Sequence, residues 1–60
     1  MRLVRDRGYG FIRTTAGEYW LFYAGDTVGT PFERLGEGQV VTFEVAHDAQ
    51  GQRATDVQVT

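Results

Sequence analysis

Sixty residues with a formal net charge of −2 make one small domain, residues 1–60, of a size that buries only about 60 % of the surface its unfolded chain exposes. Cysteine is absent, which excludes disulfide staples and thiolate metal sites, and the single His47 among scattered acids offers no metal-ligand cluster. No apolar run nears the roughly 20 residues that cross a bilayer, and no signal-peptide pattern opens the chain, so a cytoplasmic protein with no membrane partner is expected.

The charge is unevenly spread. Residues 1–13 carry four arginines against one aspartate, a local charge of +3, while the remainder carries two arginines against seven acids, a local charge of −5. A basic end on an acidic body directs an anionic ligand to one face and repels it elsewhere; an ordinary solvated surface with an accidental skew accounts for the same numbers. Every cationic side chain is arginine, which both stacks on a base and forks onto a phosphate, although a coding bias explains that equally well.

In chain order the pattern predicts strands throughout. Leu3 and Val4 open a short first strand that starts abruptly after Met1. Residues 9–14 predict a second strand, Thr15-Ala16-Gly17 a turn, and residues 18–23 a third strand rich in aromatics. Residues 24–38 are glycine-rich and hold the only proline, which predicts a long loop. Phe32 and Leu35 within it are expected to pin the loop to the core through a helical turn. Residues 40–46 alternate, placing Val41, Phe43 and Val45 on one face and Thr42 and Glu44 on the other, the mark of a half-buried strand. Residues 47–52 predict a hairpin loop, and residues 53–59 a last strand with Val57 and Val59 inward. Five short strands with no helix of three turns indicate a single all-β domain, a small antiparallel barrel.

The functional signal is concentrated in Arg7-Gly8-Tyr9-Gly10-Phe11-Ile12-Arg13. Side chains two apart on a strand share a face, so Tyr9 and Phe11 lie together, with Gly8 and Gly10 expected to clear space beside the first ring and an arginine at each end. Two such rings fringed with positive charge suit stacking on unpaired bases. Ile12 is the natural core residue of this strand, which turns the two rings outward. On the third strand, burying Leu21 places Trp20 and Phe22 outside beside Tyr9 and Phe11. A one-residue slip instead buries Trp20 and Phe22 and exposes Leu21 and Tyr23. The first register is preferred because it buries the aliphatic residue and groups the aromatics. Aromatics on strands are commonly core, but a chain this small cannot enclose all eight of its rings, and exposed rings that cluster mark a binding surface.

These residues resemble the cold-shock domain, an oligonucleotide-binding (OB) barrel. Arg7-Gly8-Tyr9-Gly10-Phe11-Ile12 matches the family's first ribonucleoprotein motif, Lys-Gly-Phe/Tyr-Gly-Phe-Ile, with one conservative change. Arg2-Leu3-Val4-Arg5-Asp6 is similar to the approach to that motif in bacterial members lacking the usual strand-one tryptophan. Leu35-Gly36-Glu37-Gly38-Gln39-Val40-Val41-Thr42-Phe43-Glu44-Val45 resembles the turn into strand four, and Arg53-Ala54-Thr55-Asp56-Val57 the family's Gln-Ala-Ala-Asn-Val close, so the resemblance spans the chain. It implies a five-stranded OB barrel that binds single-stranded RNA or DNA and melts RNA secondary structure as a chaperone. Trp20-Leu21-Phe22-Tyr23 is the candidate for the second motif, Phe-Val/Phe-His-Phe/Tyr, with Trp20 at the phenylalanine position and Phe22 at the histidine position. Arg2 stands for the strand-one tryptophan, and the family's first strand begins about four residues before Met1. A truncated first strand would leave backbone groups open on its partners, and filling them with a second copy would make a homodimer.

The expected site is therefore Tyr9, Phe11, Trp20 and Phe22 for stacking, with Tyr23 at the rim, and Arg2, Arg5, Arg7 and Arg13 for phosphates. Catalysis is not expected: His47-Asp48 reads as turn chemistry with no nucleophile nearby in sequence, and no Gly-rich loop with a trailing Lys-Ser/Thr suggests nucleotide hydrolysis. Neither a cofactor nor a small-molecule substrate is expected. The competing reading is a small barrel whose aromatic face binds protein or another copy of itself, favoured by the divergent second motif and the acidic balance.

Overall fold

The computed structural model describes residues 1–49 and 51–60, with Asp48 described by its backbone alone. Five strands carry the fold: β1 (Arg2–Val4), β2 (Tyr9–Arg13), β3 (Tyr19–Tyr23), β4 (Val41–Asp48) and β5 (Gly51–Val59). Single 3₁₀ turns occupy Arg5–Arg7, Ala24–Asp26 and Phe32–Arg34, and no α-helix occurs among the described residues. β1, β2 and β3 form one antiparallel sheet in that order, and β4 and β5 form a two-stranded ribbon. The two come together where Thr27, in the segment after β3, bridges Val57 of β5 in parallel, with the Val28 N–H donating to the Val57 carbonyl at 2.8 Å; the Thr60 N–H donates to the Val40 carbonyl at 3.1 Å and extends the ribbon by one pair. This is the all-β, five-stranded architecture anticipated from the strand pattern, and it is consistent with the OB-type barrel that the resemblance implies.

The core is Ile12, Phe22, Phe32, Leu35, Ala54 and Val57, all buried, with Leu3, Trp20, Val41, Phe43 and Val59 packed around it. Phe32 and Leu35 anchor the long loop as expected, Phe32 edge-on to Phe22 with ring centroids 6.0 Å apart.

The β2–β3 register is the slipped one, not the preferred one. Thr15-Ala16-Gly17 is a three-residue loop closed by Thr14 and Glu18: the Thr14 N–H donates to the Glu18 carbonyl, and the Gly17 N–H to the Thr14 carbonyl, both at 2.9 Å. Counting outward from that closure pairs Arg13 with Tyr19, Ile12 with Trp20, Phe11 with Leu21, Gly10 with Phe22 and Tyr9 with Tyr23. Paired residues share a face, so with Ile12 inside, Trp20 and Phe22 are inside too. Gly10 makes this possible. A Cβ there would sit 2.9 Å from the Phe22 ring and 2.7 Å from the Arg2 carbonyl oxygen, so the space it leaves open is filled by the Phe22 ring on the core side. Gly8 likewise serves the chain: at φ +75° it ends the Arg5–Arg7 turn in the left-handed conformation, which glycine adopts without strain.

The β4–β5 hairpin is longer than expected. His47 and Asp48 belong to β4 and Gly51 and Gln52 to β5, with His47 opposite Gln52 and Asp48 opposite Gly51; Gln50, also assigned to the expected loop, lies outside the described residues. Pairing jumps from Thr42–Gln58 to Glu44–Thr55, so Asp56 and Val57 together face Phe43, and Asp56 takes the positive φ of 50° that this bulge requires. Val57 enters the core there. Val45, expected inward, lies opposite buried Ala54 and so faces the same side, but is left 47 % exposed.

The long loop is tied back onto β1. The Glu37 carboxylate accepts the Leu3 N–H at 2.9 Å, and the Arg5 guanidinium donates to the carbonyls of Glu33 and Leu35. β1 pairs with β2 only from Tyr9 to Phe11. Beyond it a cleft of about 380 Å³ opens between residues 12–15 and residues 39–43, with Met1 at its wall.

Two stability outcomes follow from this packing. Phe22→Ala should cost about 3–5 kcal/mol, comparable with the whole stability of a core this small, and give no cooperative melt by circular dichroism; Leu21→Ala, on the open face, should still melt cooperatively. The opposite pattern would mean that the register is reversed. Gly10→Ala forces a methyl against the Phe22 ring and a backbone carbonyl and should lower Tm by about 5–20 °C.

Candidate nucleic-acid interface

The outer face of the three-stranded sheet collects the side chains that alternate away from the core. Cross-strand rows can be read from the pairing: Val4, Tyr9 and Tyr23 in one row, Arg2, Phe11 and Leu21 in the next, Arg13 and Tyr19 in the last. Tyr9 and Phe11 sit on this face as expected, half-buried, with ring centroids 5.7 Å apart and planes at 87°. This edge-to-face contact holds each ring by its neighbour and leaves ring surface open to solvent. Tyr9, Phe11, Leu21 and Tyr23 line an open cleft of about 330 Å³. Leu21 forms an apolar floor between three rings, and Tyr23, 43 % exposed, stands at the rim.

Trp20 and Phe22 are not on this face. Phe22 is fully buried and has no surface to offer a ligand. Trp20 packs against the core with its ring 5.8 Å from that of Phe43, and its remaining exposed part borders a different cleft with Glu18, Tyr19 and Gln52. The residues at the outward positions opposite Phe11 and Tyr9 are Leu21 and Tyr23, one place further along than the motif comparison assigned. Leu21 faces outward as in the alternative register weighed from the sequence, and Tyr19 is the member of this face that the sequence does not single out. The signal for them was the length of the Thr15-Ala16-Gly17 turn, which, counted through, pairs Ile12 with Trp20 and sends both inward.

The arginines divide by environment. Arg2 and Arg13 are exposed and flank Phe11 from β1 and from the end of β2, and they line a second cleft of about 170 Å³ together with Met1, Phe11 and Tyr19. Arg7 is exposed in the turn that leads into Tyr9. Arg5 directs its guanidinium at the Glu33 and Leu35 carbonyls and so braces the loop over buried Leu35. Arg53 lies on β5 and pairs with Asp26 at 3.4 Å; the same carboxylate accepts the Tyr23 N–H at 2.9 Å, which fixes the end of β3 beside the rim ring. On the other ribbon, Glu44 and Asp56 border a cleft with Thr42, Phe43 and Gln58. None of the residues of β1, β2 and β3 is acidic, so the outer face of that sheet carries the arginines of its strands and no carboxylate of its own.

The 'Cold-shock' DNA-binding domain family model matches residues 2–60. The chain is 38 % identical over 53 residues to the major cold shock protein CspA of Pseudomonas aeruginosa, covering 88 % of this chain and 77 % of that protein. It is 38 % identical over 53 residues to the probable cold shock protein A of Mycobacterium tuberculosis, covering 87 % and 79 %, and 35 % identical over 52 residues to the cold shock-like protein CspD of Bacillus cereus, again covering 87 % and 79 %. No solved structure gives a significant match. With its strands, its outward rings and its basic fringe placed as described, the chain belongs to the cold-shock DNA-binding domain family, a family of nucleic-acid-binding domains.

Proposed function

We propose that the outer face of β1, β2 and β3 binds single-stranded RNA or DNA by base stacking, and that the protein acts in the cytoplasm as an RNA chaperone that holds strands unpaired without enzymatic turnover. The observation that carries this reading is the cleft formed by Tyr9, Phe11, Leu21 and Tyr23 on a face with no acid. An unpaired base entering it meets ring faces on Tyr9, Phe11 and Tyr23 and an aliphatic floor at Leu21. Each stacked base contributes roughly 1–3 kcal/mol by alanine substitution. Trapping an unpaired strand needs only this binding energy and no ATP. Every base has a ring face, so sequence preference is modest.

Phosphates are assigned to Arg2, Arg7 and Arg13, which are exposed and whose guanidinium groups make no hydrogen bond or ion pair among the described residues. Arg5 is set apart because its guanidinium already serves two loop carbonyls. Three neutralised phosphates correspond to a slope of about −2 in log affinity against log salt.

The test is titration of labelled oligothymidine followed by fluorescence anisotropy at several salt concentrations. Tyr9→Ala and Phe11→Ala should each weaken binding at least about fivefold. Arg2→Ala and Arg13→Ala should each make the salt slope shallower by about 0.7. Arg5→Ala should lower Tm and leave the slope unchanged. Absence of salt-sensitive binding by the unaltered protein would remove this reading.

A second reading, self-association, is favoured by the uncovered edge of β2 beyond Phe11. An extended segment of a second copy would pair there with Ile12 and Arg13 inside the cleft beside Met1. Light scattering at micromolar concentration decides it: a dimeric mass is expected on this reading, and a monomeric mass ends it.

A further inference from the structure

Tyr19 is the most exposed aromatic side chain among the described residues, at 65 %, and the stacking cleft does not include it. A lone exposed ring is ordinary, but this one is not isolated. It pairs across the sheet with Arg13, shares the outer face with Phe11, and closes the cleft of about 170 Å³ that Arg2 and Arg13 also line. Both guanidiniums are exposed and make no ion pair or hydrogen bond among the described residues.

We propose that Tyr19, Arg2 and Arg13 form an additional nucleotide position, continuous with the Tyr9–Phe11 cleft, in which a base stacks on the Tyr19 ring and its phosphate lies between the two arginines. The inference rests on the nucleic-acid reading above and extends it by one nucleotide toward the turn that joins β2 to β3. Phe11 is the shared wall: it borders the first cleft on one side and the second on the other. A strand leaving Phe11 toward the turn meets the Arg2–Arg13 pair and then the Tyr19 ring. A planar guanidinium beside each ring suits this position, since it can fork onto a phosphate oxygen pair or lie flat on a base. Arg2 stands where the family has its strand-one tryptophan, so β1 offers no ring beside Phe11. On this sheet a ring is supplied instead from the far strand, with arginine left on the near one.

The test is the length dependence of binding, using oligothymidines from about 3 to about 8 nucleotides, the low end of OB-fold site sizes. For the unaltered protein, affinity should climb with length to a plateau. Tyr19→Ala should reach its plateau one nucleotide earlier and bind the longer strands about tenfold more weakly while matching the unaltered protein on the shortest. Tyr19→Phe, which keeps the ring, should behave as the unaltered protein. The double variant Arg2→Ala/Arg13→Ala should lower the salt slope by about 1.4 on the longer strands. Equal binding by Tyr19→Ala and the unaltered protein at every length, with Tyr9→Ala weak throughout, overturns this position and leaves the stacking cleft standing. Failure of the unaltered protein to bind at any length overturns both. Loss on Tyr19→Phe as large as on Tyr19→Ala overturns the stacking role of the ring.

Discussion

The fit of the Phe22 ring over Gly10 is the contact on which the rest of this small barrel depends. A domain of this size has few fully buried side chains, and Phe22, Leu35 and Val57 are the largest of them. Phe22 reaches the centre only because the residue opposite it on β2 has no side chain. Its ring then meets Phe32 from the long loop, so the same contact holds the hairpin, the loop and the core together. In a structure with so little core to spare, any side chain on Gly10 displaces the piece that everything else packs against.

That inward choice also decides the surface. Alternation along a strand is strict, so sending Phe22 and Trp20 inward sends Tyr19, Leu21 and Tyr23 out. The face so produced is not the block of four large rings that grouping the aromatics suggests. It is an open cleft with a leucine between three rings. Tyr9 and Phe11 keep their place in either register, because their direction is set by Ile12 on their own strand.

Charge is organised by a similar division of labour. Arg5 and Arg53 look in sequence like the other arginines, yet one braces the loop through two carbonyls and the other pairs with Asp26. Glu37, part of the acidic majority, covers the Leu3 N–H at the edge of β1, an edge that would otherwise offer itself to another strand. What remains on the outer face is Arg2 and Arg13, with Arg7 in the turn that leads into it, and no acid on the three strands themselves. A chain with a net negative charge thereby presents a basic surface to an anionic ligand.

Composition, periodicity and turn chemistry determined by themselves that the chain is all-β, that it has five strands, that the long glycine-rich segment is a loop pinned by Phe32 and Leu35, and that Tyr9 and Phe11 face outward. These are local properties, carried by alternation and by where glycine and proline fall. The β2–β3 register was also encoded locally, in a three-residue turn, but preference for burying an aliphatic residue outweighed it in the reading; the space above Gly10, sized for a ring, is what makes Phe22 the better core residue. Only the tertiary structure decided which arginines are spent on the fold, how far the β4–β5 hairpin runs, and that Val45, on the side of buried Ala54, is left half-exposed. The division of the arginines depends on partners far along the chain, as with Arg5 and Leu35, which are 30 residues apart. No pattern of neighbours along the chain records such contacts.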